Sequence, residues 1–142
     1  MFENEHPARR VALLSREYVQ THNREGWLGL YAEDASIEDP IGISPLDPEG
    51  KGHRGRAARE AFWDTFIAPV DISIEILHSY AAGLECANHI IITTTIDDGQ
   101  GKTFQQKVQG IFTYQVNEAG ELLALRGYWE VDDPNNSLTE LT

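Results

Sequence analysis

Two side chains carry most of the chemical interest in this sequence, Asp39 and Tyr18. Asp39 closes the segment Ala35-Ser36-Ile37-Glu38-Asp39, whose period-two alternation sets Ala35, Ile37 and Asp39 on one face and Ser36 and Glu38 on the other. A carboxylate that points with apolar residues must be paired, neutralised or functional, because desolvation disfavours its charge. Alternation alone also fits a plainer reading, in which the strand ends at Pro40 and Asp39 caps a surface turn. Tyr18 follows Val11 and Leu14 on the apolar stripe of a helix, which turns its ring inward and leaves a hydroxyl in need of a partner. Its plainer reading is a core tyrosine.

Other chemistries are poorly served. The histidines, His6, His22, His53, His78 and His89, show no spacing that sets two on one helix face, and none stands in a motif with Glu, so no metal site is expected. Cys86 is the only cysteine, which excludes an internal disulfide and a thiolate metal cluster and leaves it as a small residue packed in a strand. Ser44 and Ser79 lack a nucleophile-elbow sequence, and Gly50, Gly52 and Gly55 lack the strand and helix of a phosphate cradle. No cofactor is expected.

The elements that must position Asp39 and Tyr18 can be read from spacing. Apolar residues at Val11, Leu14 and Tyr18 predict an amphipathic helix over residues 7–23. After the break Asn23-Arg24-Glu25-Gly26, the segment Trp27-Leu28-Gly29-Leu30-Tyr31 predicts a second helix, ending near residues 32–34, and residues 35–39 the first strand. Residues 44–52 carry the breakers of a loop, placed to form a mobile rim to a pocket. Ala58, Phe62 and Phe66, with Trp63 and Ile67, predict a third helix over residues 56–68, stopped by Pro69. Everything beyond Val70 reads as strand, over residues 72–80, 87–96, 103–116 and 122–131, separated by turns at Gly83, Gly99, Gly101 and Gly120.

In residues 103–116, Phe104, Val108, Phe112, Tyr114 and Val116 take one face, and Thr103, Gln105, Lys107, Gln109, Thr113 and Gln115 the other. Leu123, Leu125, Trp129 and Val131 form the apolar face of the last strand. Helices first and a meander afterwards make an α+β fold, with three N-terminal helices on a curved, mostly antiparallel sheet around an apolar interior. The length suits one domain spanning residues 1–142, with a polar, loosely ordered tail over residues 132–142.

With 11 Lys and Arg against 23 Asp and Glu, the chain has a formal charge of −12, which repels nucleic acid and anionic membranes. It contains no run of the roughly 20 apolar residues that span a bilayer, and its polar start lacks the core of a secretory signal, so a cytoplasmic location is the default expectation.

Several segments together resemble the bacterial ketosteroid isomerases of the NTF2-like (SnoaL-like) superfamily. The run from Leu30 to Gly42, with Tyr31-Ala32-Glu33-Asp34-Ala35-Ser36-Ile37-Glu38-Asp39-Pro40 inside it, is similar to the segment that carries the family's catalytic aspartate, at Asp39. Tyr18-Val19 before His22-Asn23 resembles the segment of the oxyanion-binding tyrosine. Gly55-Arg56-Ala57-Ala58-Arg59-Glu60-Ala61-Phe62-Trp63 looks like the third helix, and Gly120 with Gly127-Tyr128-Trp129-Glu130 like the last hairpin.

The resemblance implies a cone-shaped fold and a proton transfer α to a carbonyl, with Asp39 as base and Tyr18 as oxyanion donor. It implies an apolar, steroid-like ligand held by Tyr31, Phe62, Trp63, Phe112, Tyr114 and Trp129, and a homodimer formed through the outer sheet face. The chain departs from the family where an aspartic acid should give a second oxyanion bond: that position holds Phe112, or Gly110 if the register slips by two. Trp63 stands where some members have a tyrosine, while Tyr31 keeps a matching phenol. Weak activity, a steroid-binding protein without turnover, a dehydratase or cyclase on the same fold, and an interaction module like nuclear transport factor 2 are the alternatives.

Overall fold

The computed structural model describes residues 1–136 and 138–141. Helix α1 (Pro7–Gln20) begins where Pro7 takes the first turn and the His6 ring accepts a hydrogen bond from Ala8 N at 3.1 Å. The second helix, α2 (Arg24–Leu28), starts earlier than its apolar residues suggest, because the Asn23 side chain caps it through Gly26 N at 3.0 Å, and it ends sooner, at Leu28. The backbone is extended from Tyr31, so strand β1 (Tyr31–Glu38) absorbs residues that the sequence assigned to the end of the helix.

A two-residue strand β2 (His53–Arg54) leads into α3 (Arg56–Phe62), which continues as a π-helical turn (Trp63–Ile67) closed by Ala68 N bonding Trp63 O at 2.8 Å. That wider turn brings Phe62, Phe66 and Ile67 to the same wall of the interior. The meander follows as β3 (Asp71–Ala82), β4 (Glu85–Asp97), β5 (Thr103–Val116) and β6 (Leu122–Tyr128). Strand order in the sheet is β2-β1-β6-β5-β4-β3, with β1 and β6 parallel and the other neighbours antiparallel. The result is α+β: helices packed on one face of a curved, unclosed sheet.

Two expectations about the sheet need correction. Of the face predicted for residues 122–131, Leu125 and Trp129 point inward, but a register shift at Gln115/Val116 buries Leu122 and leaves Leu123 only half-buried. The strand stops at Tyr128, so Val131 is 41% exposed. Much of the tail predicted to be loosely ordered also has regular structure. A 3-10 turn (Pro134–Asn136) and strand β7 (Leu138–Glu140) lie along β5, and residues 137 and 142 fall outside the described residues.

The loop over residues 44–52 is pinned by Asp47, whose carboxylate accepts bonds from Gly50 N at 3.2 Å and Gly52 N at 2.7 Å. Among the described residues no helix is long and apolar enough to cross a membrane.

Candidate functional site

The helices leave a cavity of about 170 Å³ over the inner face of the sheet. Its lining is apolar over most of its extent: Val19 from α1, Phe62, Phe66 and Ile67 from the third helical segment, Ile72 and Ile74 from β3, Ile90 and Ile92 from β4. Into this wall project a few polar groups: Ser15, Asp39, Thr94, Gln106, Tyr114 and the Trp129 indole. A concave apolar space with few polar groups is the ordinary form of a small-molecule site.

Asp39 sits just past the end of β1, where alternation has already turned Ala35 and Ile37, each 1% exposed, to the interior. Its Oδ1 accepts a hydrogen bond from Trp129 Nε1 at 2.7 Å, which joins the first strand to the residue after the last long one. Oδ2 has no partner among the described residues and remains available to a ligand. Burial raises the carboxyl pKa from 3.8 to about 6, and the Trp129 bond, which favours the charged form, pulls it back down in part.

The space beside this carboxyl is closely packed. A Cβ on Gly127 would lie 2.8 Å from the Phe112 ring and 3.2 Å from Asp39 Oδ1, so the absent side chain is what lets the last strand approach the carboxylate. Gly110 likewise has no room for one, since its Cβ would meet Tyr128 O at 2.4 Å. The residue in the neighbourhood of Asp39 is therefore Phe112, paired with Gly127 across β5 and β6, and it offers no hydrogen bond.

Of the residues expected at the site, Asp39, Phe62, Phe112, Tyr114 and Trp129 line the cavity. Tyr18, Tyr31 and Trp63 do not, and each has a physical reason. The buried stripe of α1 runs through Ala8, Val11, Ala12, Leu14, Ser15 and Val19, and Tyr18, one turn beyond Leu14 and about 60° around the helix from Ser15, lies half-buried at its edge. The side chains that α1 presents to the cavity are Ser15 and Val19.

Tyr31 is covered by the edge-on Trp27 ring at 4.9 Å and by the Arg59 guanidinium at 5.2 Å, which leaves its hydroxyl buried without a partner. Trp63 packs against Trp27 at 5.2 Å, one layer behind the wall.

Sequence reasoning missed Ser15, Leu46, Thr94, Gln106 and the isoleucines of β3 and β4 as lining residues. The isoleucines alternate at 72/74 and 90/92, and Ser15 stands midway between Val11 and Val19 at spacings of four, so both signals were present. Leu46, on an irregular loop, had none.

Comparisons with known proteins meet this geometry. Residues 13–124 match the SnoaL-like domain family. The chain is 31% identical over 104 residues to a steroid Δ-isomerase of Nocardioides simplex, covering 73% of this chain and 74% of that protein. A Δ5-3-ketosteroid isomerase from a Mycobacterium species superposes with a TM-score of 0.83 at 38% identity, over 94% of this chain and 98% of that one. A Mycobacterium tuberculosis protein in complex with estradiol-17β-hemisuccinate gives a TM-score of 0.84 at 39% identity, over 90% and 97%.

Proposed function

The chain belongs to the SnoaL-like domain family and has a ketosteroid-isomerase-like fold, and from that premise we propose that it shifts a proton α to the carbonyl of a ketosteroid or similar apolar polycyclic ketone, with Asp39 as base. The observation that carries this reading is one carboxyl, its pKa lifted to about 6, in the wall of a mostly apolar cavity. Asp39 takes the proton from the carbon next to the carbonyl, the C–H electron pair moves toward the carbonyl oxygen, and the conjugated enolate is reprotonated by the same carboxyl further along the ring system. The base ends as it began. No cofactor enters.

A carboxyl with an unperturbed pKa near 4 is a weak base, and one near 6 is stronger while still mostly ionised at neutral pH. With 5-androstene-3,17-dione as substrate, the ultraviolet band of the conjugated enone is expected to grow. The rate should rise with pH through about 6, since only the ionised form accepts the proton. Trp129→Phe removes the bond that favours the ionised form, so the acid limb of the profile should move to higher pH. A rate independent of pH between 4 and 8, measured in both proteins, would count against Asp39 as the base.

A second copy of the chain is the expected partner, through the outer sheet face. That face is less polar than the stripe on β5 suggests, because it also shows Ile111, 39% exposed, and Tyr128, 49% exposed. Light scattering should return the mass of two chains, and a single-chain mass at micromolar concentration would remove the dimer from this reading.

A further inference from the structure

A base that removes a proton beside a carbonyl leaves charge on the carbonyl oxygen, and in an apolar cavity that oxygen needs a donor already in place. The polar groups of the cavity narrow the choice. Trp129 Nε1 is committed to Asp39, and Gln106 Nε2 donates to Asn136 O at 3.1 Å. Thr94 pairs with Gln106 across β4 and β5, six residues along the sheet from the Asn88–Phe112–Gly127 row that borders Asp39, or roughly 20 Å of strand.

Tyr114 is different. It follows Phe112 by two on β5 and so shares its inward face close to Asp39. Its hydroxyl has no hydrogen-bond partner among the described residues. Tyr114, Asp39 and Ser15 of α1 line the same cavity, and the phenol feels the charge of Asp39. Ser15 Oγ is likewise uncommitted and faces the same cavity.

We propose that the Tyr114 hydroxyl, aided by Ser15 from α1, is the donor that binds the ligand's carbonyl oxygen and stabilises the enolate, in place of Tyr18 and of the acid replaced by Phe112. Burial first, and then the Asp39 charge, push the Tyr114 phenol above its ordinary value of 10, so it keeps its proton and stays a donor throughout the working range. The ligand is thereby oriented with its carbonyl toward α1 and β5 and its hydrocarbon along Val108, Ile90 and Ile92.

This assignment rests on the proton-transfer reading, and the test separates the two. Wild type, Tyr114→Phe, Ser15→Ala and Asp39→Asn are assayed with 5-androstene-3,17-dione, and each is titrated with the enone product, 4-androstene-3,17-dione. An enone absorbs at longer wavelength when its carbonyl accepts a strong hydrogen bond, so the bound spectrum reports the donor without turnover.

Tyr114→Phe, which deletes one atom, is expected to lose kcat by about 10²- to 10³-fold, to keep the acid limb of the pH profile, and to bind the enone without the red shift. Ser15→Ala should lose about tenfold. Unchanged kcat and unchanged red shift in Tyr114→Phe overturn the donor assignment while leaving Asp39 as base. A red shift that Tyr114→Phe abolishes, in a wild type that does not turn over, upholds the donor and overturns the isomerase reading. Failure of the wild type to bind the enone overturns both.

Discussion

Asp39→Asn is expected to lower turnover of 5-androstene-3,17-dione by about 10²- to 10⁴-fold and at the same time to make the protein more stable at neutral pH. The loss follows from removing the base, since an amide cannot take the proton. The gain follows from the sign of the pKa shift. The folded state holds the carboxyl near 6 and the unfolded chain near 3.8, so between these values the folded state binds the proton more tightly. Stability that this group favours is fully present below about pH 3.8 and is lost as pH rises through about 6.

A difference of about two pH units corresponds to at most ~3 kcal/mol. Asparagine keeps an oxygen for Trp129 Nε1 and never ionises, so it escapes that cost. Urea midpoints of the two proteins should nearly coincide at pH 3.5 and separate at pH 8, with the variant higher. A gap of equal size at both pH values would mean that the carboxyl is not desolvated in the folded state, and would undercut its role as a tuned base.

Trp27→Ala is expected to destabilise the fold by about 3–5 kcal/mol, a large share of what a domain of this size usually has. Trp27 is 2% exposed, and its ring contacts Tyr31 at 4.9 Å, Trp63 at 5.2 Å and Phe62 at 6.4 Å. Helix α2 (Arg24–Leu28) is too short to persist by its own hydrogen bonds, so it depends on this side chain for attachment. The variant also opens the wall of the cavity that Trp27 shares with Phe62. Chemical denaturation should show the loss, and Trp27→Phe should recover much of it. A cost below about 1 kcal/mol would show that the cavity wall collapses onto the vacancy with little loss of contact.

The family was legible from the residues alone, and so was the inward direction of the Asp39 carboxylate. Period two over residues 35–39 sets Asp39 with Ala35 and Ile37, and the strand over 103–116 has the bounds its alternation implied, with Val108, Phe112 and Tyr114 of its predicted face lining the cavity. Local pattern could do this because a strand has two faces, and one apolar residue on a face determines the orientation of the rest.

Helices are less decisive. The stripe of α1 spans a wide arc, and whether Ser15 or Tyr18 enters the cavity depends on how the helix lies across the sheet, which no residue of α1 records. Tyr31 was placed at the site by similarity, yet Trp27 and Arg59, close in space but on other elements, cover it.

Spacing and residue type sufficed for the long elements, the inward carboxylate and the lack of a side chain at Gly110 and Gly127, but not for the short strands β2 and β7. Tertiary structure alone decided the bond between Asp39 and Trp129, 90 residues apart, the committed or free state of each polar group in the cavity, and hence Tyr114 as the open donor. The physical reason is that periodicity reports which face a residue takes, whereas a hydrogen bond requires two atoms within about 3 Å, a condition set by the packing of segments far apart in the chain.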